Sequence, residues 1–156
     1  MLIVTHTAIG VSIGAALGNP YLAAPLSLSS HYLVDGLPHF ELSSFRKPGE
    51  RNLKPKNWFE IFFVFGDIVL TLIFLFVFRK IWSASFFSGF AFSIAPDFLD
   101  NIFLWSGYIH RLPIFKELHK LHDNFHFTAR GKKIWLGILT QICIISICLI
   151  ALKSLI

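Results

Sequence analysis

The chain has 156 residues, of which 54% are apolar, 16% aromatic and only 15% charged. A soluble domain carries about a quarter charged residues, so this composition predicts an integral membrane protein and excludes disorder, a collagen-like repeat and a disulfide-stapled module. The formal charge of +5 does not indicate a nucleic-acid partner, because the basic residues lie between apolar runs and form no nucleic-acid-binding motif.

Two apolar helices are predicted in the N-terminal part of the chain. The first covers residues 1–17 and ends at the turn sequence Gly-Asn-Pro, and the second covers residues 21–35. The first ten residues lack the basic segment of a signal peptide, so we expect them to remain in the mature protein. Residues 40–57 hold seven charged residues, two prolines and a glycine, which predicts a solvated connection.

Three further apolar runs complete the predicted bundle. Residues 58–78 are the clearest candidate for a membrane span, and residues 81–105 follow, with Pro96 expected to kink that helix or end it early. A basic, His-rich stretch comes next, in which residues 113–127 are predicted to form a short amphipathic helix. The uncharged residues 134–152 are the last predicted span, long enough to cross a hydrocarbon layer of ~30 Å at ~1.5 Å per residue.

The predicted fold class is therefore all-α, with one domain over residues 1–156 built as a polytopic membrane bundle of about five transmembrane helices. Five Lys and Arg residues lie in 40–57 and six in 108–133, whereas only three lie on the opposite side of the predicted bundle. The positive-inside rule places the two basic connections in the cytoplasm. With five crossings, the N-terminus is then predicted to be cytoplasmic, and the lipid bilayer is the expected partner.

Ionisable side chains inside the apolar runs are the candidates for function, because they are costly in a membrane and usually have a role there. His31 and Asp35 are four residues apart, so their side chains project from one face of the predicted second helix. Asp97 and Asp100 are three apart and have the same property in the fourth. An interhelical hydrogen bond would also account for such pairs, and the metal-site interpretation rests on their convergence at one depth.

Histidines near both ends of the chain complete a predicted metal site. His122 and His126 have the spacing of zinc-binding helices, and His6 lies about one turn into the first helix. Counted along the helices, these groups reach one layer near the cytoplasmic face, where imidazole and carboxylate ligands suit Zn(II), Fe(II) or Mn(II). One or two divalent ions are expected, zinc in the first place, with the ligands His6, His31, Asp35, Asp97, His122 and His126.

Other polar residues near this layer are assigned less directly. Asp100 and Asp123 are the predicted catalytic residues, each expected to orient a ligand or act as a base. Asp67 is compatible either with a contact between helices or with a functional role. His39 could join the site from the turn after the second helix, and His119 lies either beside the site or on a solvated basic face.

Four sequence motifs carry a family resemblance: THTAIGVSIGAALGNP, SHYLVDGLPHFE, APDFLD and LHKLHDNFHF. In this order they resemble the small bacterial membrane-bound metal-dependent hydrolases, whose His/Asp site is in turn similar to that of zinc-dependent phospholipase C. The resemblance implies a protein of the bacterial cytoplasmic membrane. It also implies metal ligands at the matching positions His6, His31, Asp35, Asp97, Asp100, His122 and His126.

The predicted function is a membrane hydrolase in which a metal-bound water attacks a phosphoester or a lipid-like substrate such as a phospholipid. A metal-ion or proton transporter is one alternative, disfavoured because the outer halves of three helices are almost wholly apolar. A structural membrane protein with polar contacts between helices is another. Haem held between His6 and His31 is a weaker variant.

Overall fold

A computed structural model describes residues 1–46, 57–102 and 105–156 of the chain. These residues form seven α-helices and no strand, which confirms the all-α prediction. The helices are α1 (Ile3–Leu17), α2 (Pro20–Asp35), α3 (Trp58–Val77), α4 (Ala84–Asn101), α5 (Ser106–Ile109), α6 (Pro113–Phe125) and α7 (Ile134–Lys153). Short 3-10 turns cover Leu42–Phe45, Arg79–Ile81 and Gly131–Lys133. Most of the predicted solvated connection, residues 47–56, lies outside the described residues.

Two helical segments in the described part of the chain are long and apolar enough to cross a membrane. They are Trp58–Val77 and Gly131–Lys153, whereas α1 is apolar but has only 15 residues. A helix of that length extends over about 22 Å, less than the ~30 Å hydrocarbon layer. The helical fold is therefore established, and the count of five spans stays a prediction.

Two helices differ from their predicted extents. Ser83 caps the start of α4, its side chain accepting a hydrogen bond from the backbone N–H of Phe86, so the helix begins three residues later than expected. It then continues through Pro96 to Asn101. Helix α6 ends at Phe125, so His126 has extended backbone and does not form a helical pair with His122.

Helix α1 lies at the centre of the bundle, where it contacts α2, α3, α4 and α7. Its contact with α4 is unusually close because glycines face each other across it. A Cβ atom added to Gly89 would overlap the carbonyl oxygen of Gly10, and one added to Gly14 would overlap that of Ser85. This backbone contact sets the position of the second half of α4 relative to α1, and Asp97 lies in that half.

The first turn of α1 obtains its hydrogen-bond acceptors from distant residues. Its own N-cap residue, Leu2, provides no side-chain cap. Instead the carboxylate of Asp67 in α3 accepts the N–H groups of Ile3 and Val4, at 2.7 and 3.0 Å. Gln141 in α7 accepts the N–H of Leu2 at 3.1 Å. Asp67 therefore has a structural role as a helix cap supplied by a neighbouring helix.

Replacing Asp67 with asparagine is expected to lower the free energy of unfolding by about 1–2 kcal/mol, because one of two hydrogen bonds and the negative charge at a helix N-terminus are lost. The melting temperature in detergent should fall by roughly 2–8 °C. The exposed acid Glu117 provides the control: Glu117→Gln should leave the melting temperature unchanged. Equal melting temperatures for Asp67→Asn and the wild type would contradict this role.

Candidate metal centre

Four side-chain atoms converge between α2, α4 and α6: Nε2 of His31, Nε2 of His122, Oδ2 of Asp35 and Oδ1 of Asp97. Asp35 Oδ2 lies 3.2 Å from His31 Nε2 and 3.1 Å from His122 Nε2, and the two nitrogens are 3.3 Å apart. Asp97 Oδ1 lies 4.0 and 3.8 Å from the same nitrogens. Ligand atoms bound tetrahedrally to one zinc ion at ~2.0–2.1 Å are about 3.3 Å apart, so these spacings are close to those of a zinc site.

The outer nitrogens of the two imidazoles determine which tautomer each ring adopts. His31 Nδ1 donates to the carbonyl oxygen of Ser93 at 2.7 Å, and His122 Nδ1 donates to Asp100 Oδ2 at 2.8 Å. In the neutral rings each Nε2 atom then carries a lone pair directed into the cluster. Four electron-pair donors would meet there when a cation displaces the proton of His122, and such an arrangement suits a metal ion.

Local helix geometry explains how these atoms come together. His31 and Asp35 project from the same face of α2 and are fully buried. Asp97 follows Pro96 in α4, where the missing proline N–H weakens the hydrogen bonding of the preceding turn. His122 lies on the buried side of α6, whose other faces are largely exposed. Three separate helices thus deliver the four atoms.

His6 lies against the remaining oxygens of both carboxylates. Its Nε2 atom is 3.2 Å from Asp35 Oδ1 and 3.7 Å from Asp97 Oδ2, and it is buried without a hydrogen-bond partner among the described residues. Asp35 and Asp97 therefore each direct one oxygen towards His31 and His122 and the other towards His6. Carboxylates arranged in this way are able to bridge two metal ions, and Asp35 Oδ1 also accepts a hydrogen bond from the α-ammonium group of Met1 at 3.0 Å.

A further group of side chains surrounds Asp35 on the side of the loop after α2. His39 is fully buried, and its Nδ1 atom donates to the carbonyl of Leu37 at 2.9 Å, so its Nε2 atom is free to act as a ligand. His126 Nε2 lies 3.3 Å from Glu41 Oε2 and 4.0 Å from Asp35 Oδ2. Asp35, His39 and His126 thus form a second group whose ligand atoms lie within 4.8 Å of one another.

Backbone pairing brings His126 to this place. The N–H of Phe127 donates to the carbonyl of Asp35 at 2.8 Å, and the N–H of His39 donates to the carbonyl of Phe127 at 3.2 Å. Ala129 returns a hydrogen bond to the carbonyl of His39 at 2.8 Å. Gly137 in α7 allows this pairing, because a Cβ atom there would lie 2.7 Å from the carbonyl carbon of His39.

The centre has a strongly negative electrostatic character. Burial alone would lower the pKa of His122, but the carboxylates of Asp100 and Asp35 outweigh it and raise that pKa to about 10. Burial would raise the pKa of Glu41, but the α-ammonium group of Met1 and the imidazole of His126 hold it well below its usual value. The surroundings of His122 therefore favour positive charge, whereas the surroundings of Glu41 favour its ionised carboxylate.

All six residues proposed from sequence as metal ligands lie in or beside this centre: His6, His31, Asp35, Asp97, His122 and His126. Asp100 is placed behind His122, so its role is to orient that imidazole. Asp123 lies on the exposed side of α6, 3.6 Å from His119 Nε2, and is not brought to the centre. Glu41 was missed because it belongs to a segment predicted to be a solvated connection, although it follows His39 by only two residues.

Comparison with known proteins provides no relative: no family model, no curated protein and no solved structure matches the chain.

Proposed function

We propose that the protein is a membrane-bound metal-dependent hydrolase that holds one or two divalent transition-metal ions, zinc in the first place. The observation that supports this most directly is the convergence of two Nε2 lone pairs and two carboxylate oxygens within a buried cluster. Imidazole and carboxylate ligands without a thiolate suit Zn(II), Fe(II) and Mn(II). In the first position His31, His122, Asp35 and Asp97 would hold the ion.

In the second position His6 would bind together with Oδ1 of Asp35 and Oδ2 of Asp97, and His39 and His126 offer two further imidazoles beside Asp35. Metal ions in such sites supply a hydroxide-like nucleophile at neutral pH and stabilise charge on a phosphoryl or carbonyl oxygen. Asp100 would keep the Nε2 lone pair of His122 directed at the ion.

The surface of α6 supports a substrate that is reached from the membrane. Ile114, Leu118, Leu121 and Phe125 form an exposed apolar stripe along one side of this helix. An amphipathic helix of this kind lies in the membrane interface with its apolar side among the lipids. The adjoining side of the helix carries His122 to the metal centre, which would place the centre at headgroup depth. A phosphoester in a lipid headgroup is therefore the proposed substrate class.

In the same proposal, α3 and α7 span the bacterial cytoplasmic membrane, and α1, α2 and α4 complete a bundle of about five crossings. The shorter α1 is enclosed by α2, α3, α4 and α7, so it does not need the length of a lipid-facing span. Ion transport is the alternative function predicted from the sequence. The buried core that includes Phe74, Phe78, Phe86 and Leu152 closes the other end of α1 and argues against a polar path.

The metal content of protein purified in detergent tests the proposal. Wild-type protein equilibrated with micromolar Zn²⁺ should retain one or two ions in the centre, and His31→Ala should lose at least one, measured by mass spectrometry of the metal. The control Tyr21→Ala removes an exposed side chain far along the same helix and should bind like the wild type. Full zinc content in folded His31→Ala would contradict the proposal.

A hydrolysis assay tests the reaction itself. Zinc-loaded wild type should cleave bis-p-nitrophenyl phosphate in detergent or phosphatidylcholine in reconstituted vesicles, and His31→Ala should be inactive in both. Zinc uptake into proteoliposomes without hydrolysis of either substrate would instead favour the transporter.

A further inference from the structure

A separate cluster of ligand-type side chains lies outside the metal centre, where α4, the residue after α5 and α6 meet. Asp100, His110 and His119 each provide an atom, and these atoms lie within 4.8 Å of one another. His110 Nε2 is 2.9 Å from Asp100 Oδ1, and His119 Nδ1 is 3.2 Å from Asp100 Oδ2. The two imidazole rings are stacked with their centroids 4.0 Å apart.

The hydrogen bond from His122 leaves one oxygen of Asp100 and the Nδ1 atom of His119 available to a ligand. Asp100 Oδ2 accepts from His122 Nδ1, which leaves Oδ1 turned towards His110. His119 Nδ1 is shielded from water but has no hydrogen-bond partner among the described residues, although a carboxylate oxygen lies only 3.2 Å away. The two atoms are close but are not aligned for a hydrogen bond. This spacing is the one expected when a nitrogen and an oxygen bind the same ion as neighbouring ligands.

Water reaches this cluster more easily than it reaches the buried metal centre. The side chains of His110 and His119 are 25% exposed and that of Asp100 is 11% exposed, so water reaches one side of the group. Two imidazoles and one carboxylate with an open fourth position are the ligand set of several exchangeable or catalytic zinc sites. Asp123 lies near the open side, 3.6 Å from His119 Nε2.

We propose that Asp100, His110 and His119 bind a further divalent transition-metal ion, separate from the ions of the centre. Asp100 connects this outer site to the centre, since its other oxygen accepts the hydrogen bond of His122 Nδ1. An ion on Asp100 Oδ1 would draw electron density from that carboxylate and so weaken its support of His122 as a ligand. Occupation of the outer site is therefore expected to loosen metal binding in the centre by a few fold.

Two titrations test this site. Zn²⁺ gives the number of ions bound, and Co²⁺, which takes the place of Zn²⁺, reports its ligands through visible absorption. The double variant His110→Ala/His119→Ala should bind one ion fewer than the wild type and should lose one component of the Co²⁺ absorption in the visible range. Lys120→Ala is the matched control, because Lys120 is next to His119 on α6 and its side chain is exposed and paired with the exposed Glu117. This control should keep the wild-type stoichiometry.

The outcomes separate the outer site from the proposed function. Loss of an ion from His31→Ala but not from the double variant would overturn the outer site and leave the centre supported. Loss from the double variant alone would support the outer site while contradicting the centre. His119→Gln, which preserves polarity but lacks the imidazole, should reproduce the loss; if it binds like the wild type, imidazole ligation by His119 is wrong.

Discussion

Replacement of Asp35 by asparagine is expected to remove both ions of the metal centre, a larger loss than the one expected for His31→Ala. Asp35 directs Oδ2 to His31 and His122 and Oδ1 to His6, so it would be a ligand in both proposed positions. Asparagine has nearly the same shape but loses the charge, and one of its two side-chain atoms becomes a donor. Removing even a partner of a ligand costs about 10–100-fold in metal affinity, so the loss of this shared ligand should exceed that range.

Zinc content and circular dichroism measured on the same purified sample check this result. Asp35→Asn should retain helical content while its zinc falls below one ion per chain at micromolar free Zn²⁺. Glu117→Gln removes a carboxylate at the exposed surface of α6 and should leave the zinc content at the wild-type value. A folded Asp35→Asn protein that keeps two ions would show that Asp35 does not bridge them.

Replacement of Gly89 by alanine should produce the largest loss of stability among single methyl additions in the described helices. The added Cβ would overlap the carbonyl of Gly10 and press against Gly14, and backbone atoms cannot turn away as a side chain can. Overpacking of this kind costs about 1–3 kcal/mol or more, because the helices must separate. For a chain of this length the melting temperature should fall by roughly 5–10 °C.

Gly66→Ala is the matched control for this substitution. Gly66 lies within α3, and a Cβ atom there would meet no other atom within 4 Å. The same chemical change should therefore leave the melting temperature unchanged or slightly higher. Gly89→Ala should also bind zinc more weakly, since a shift of α4 displaces Asp97. Equal stability of the two variants would show that α1 and α4 can separate without cost.

Much of the fold could be predicted because its signals are local. Asn19 and Pro20 begin α2, and the change from apolar to charged residues marks the start of α3. The spacing of His31 and Asp35 was sufficient to place both on one helical face. The common depth of His6 and Asp97 followed from counting residues along predicted helices, and it brought them to the same side of the bundle.

The rest of the site depends on contacts between distant segments, which local patterns do not encode. His126 was expected to extend a helix, but the backbone pairing of the next residue, Phe127, with Asp35 and His39 makes its segment extended. Glu41 is one of several charged residues in a predicted connection, so the sequence does not distinguish it from its neighbours. Only the tertiary fold brings it to His126. His110 likewise gave no signal in the sequence, because its partners Asp100 and His119 come from two other helices.

Gln141 has a consequence for the order in which the protein is made. Its side chain accepts the N–H of Leu2 at 3.1 Å and donates to the carbonyl of Phe40 at 2.8 Å, so it joins the two segments that carry His6 and His39. Helix α7 follows both segments in the chain. Their backbone groups therefore gain this partner only after α7 has been synthesised and has packed against α1, so the N-terminal segments cannot reach this arrangement by themselves.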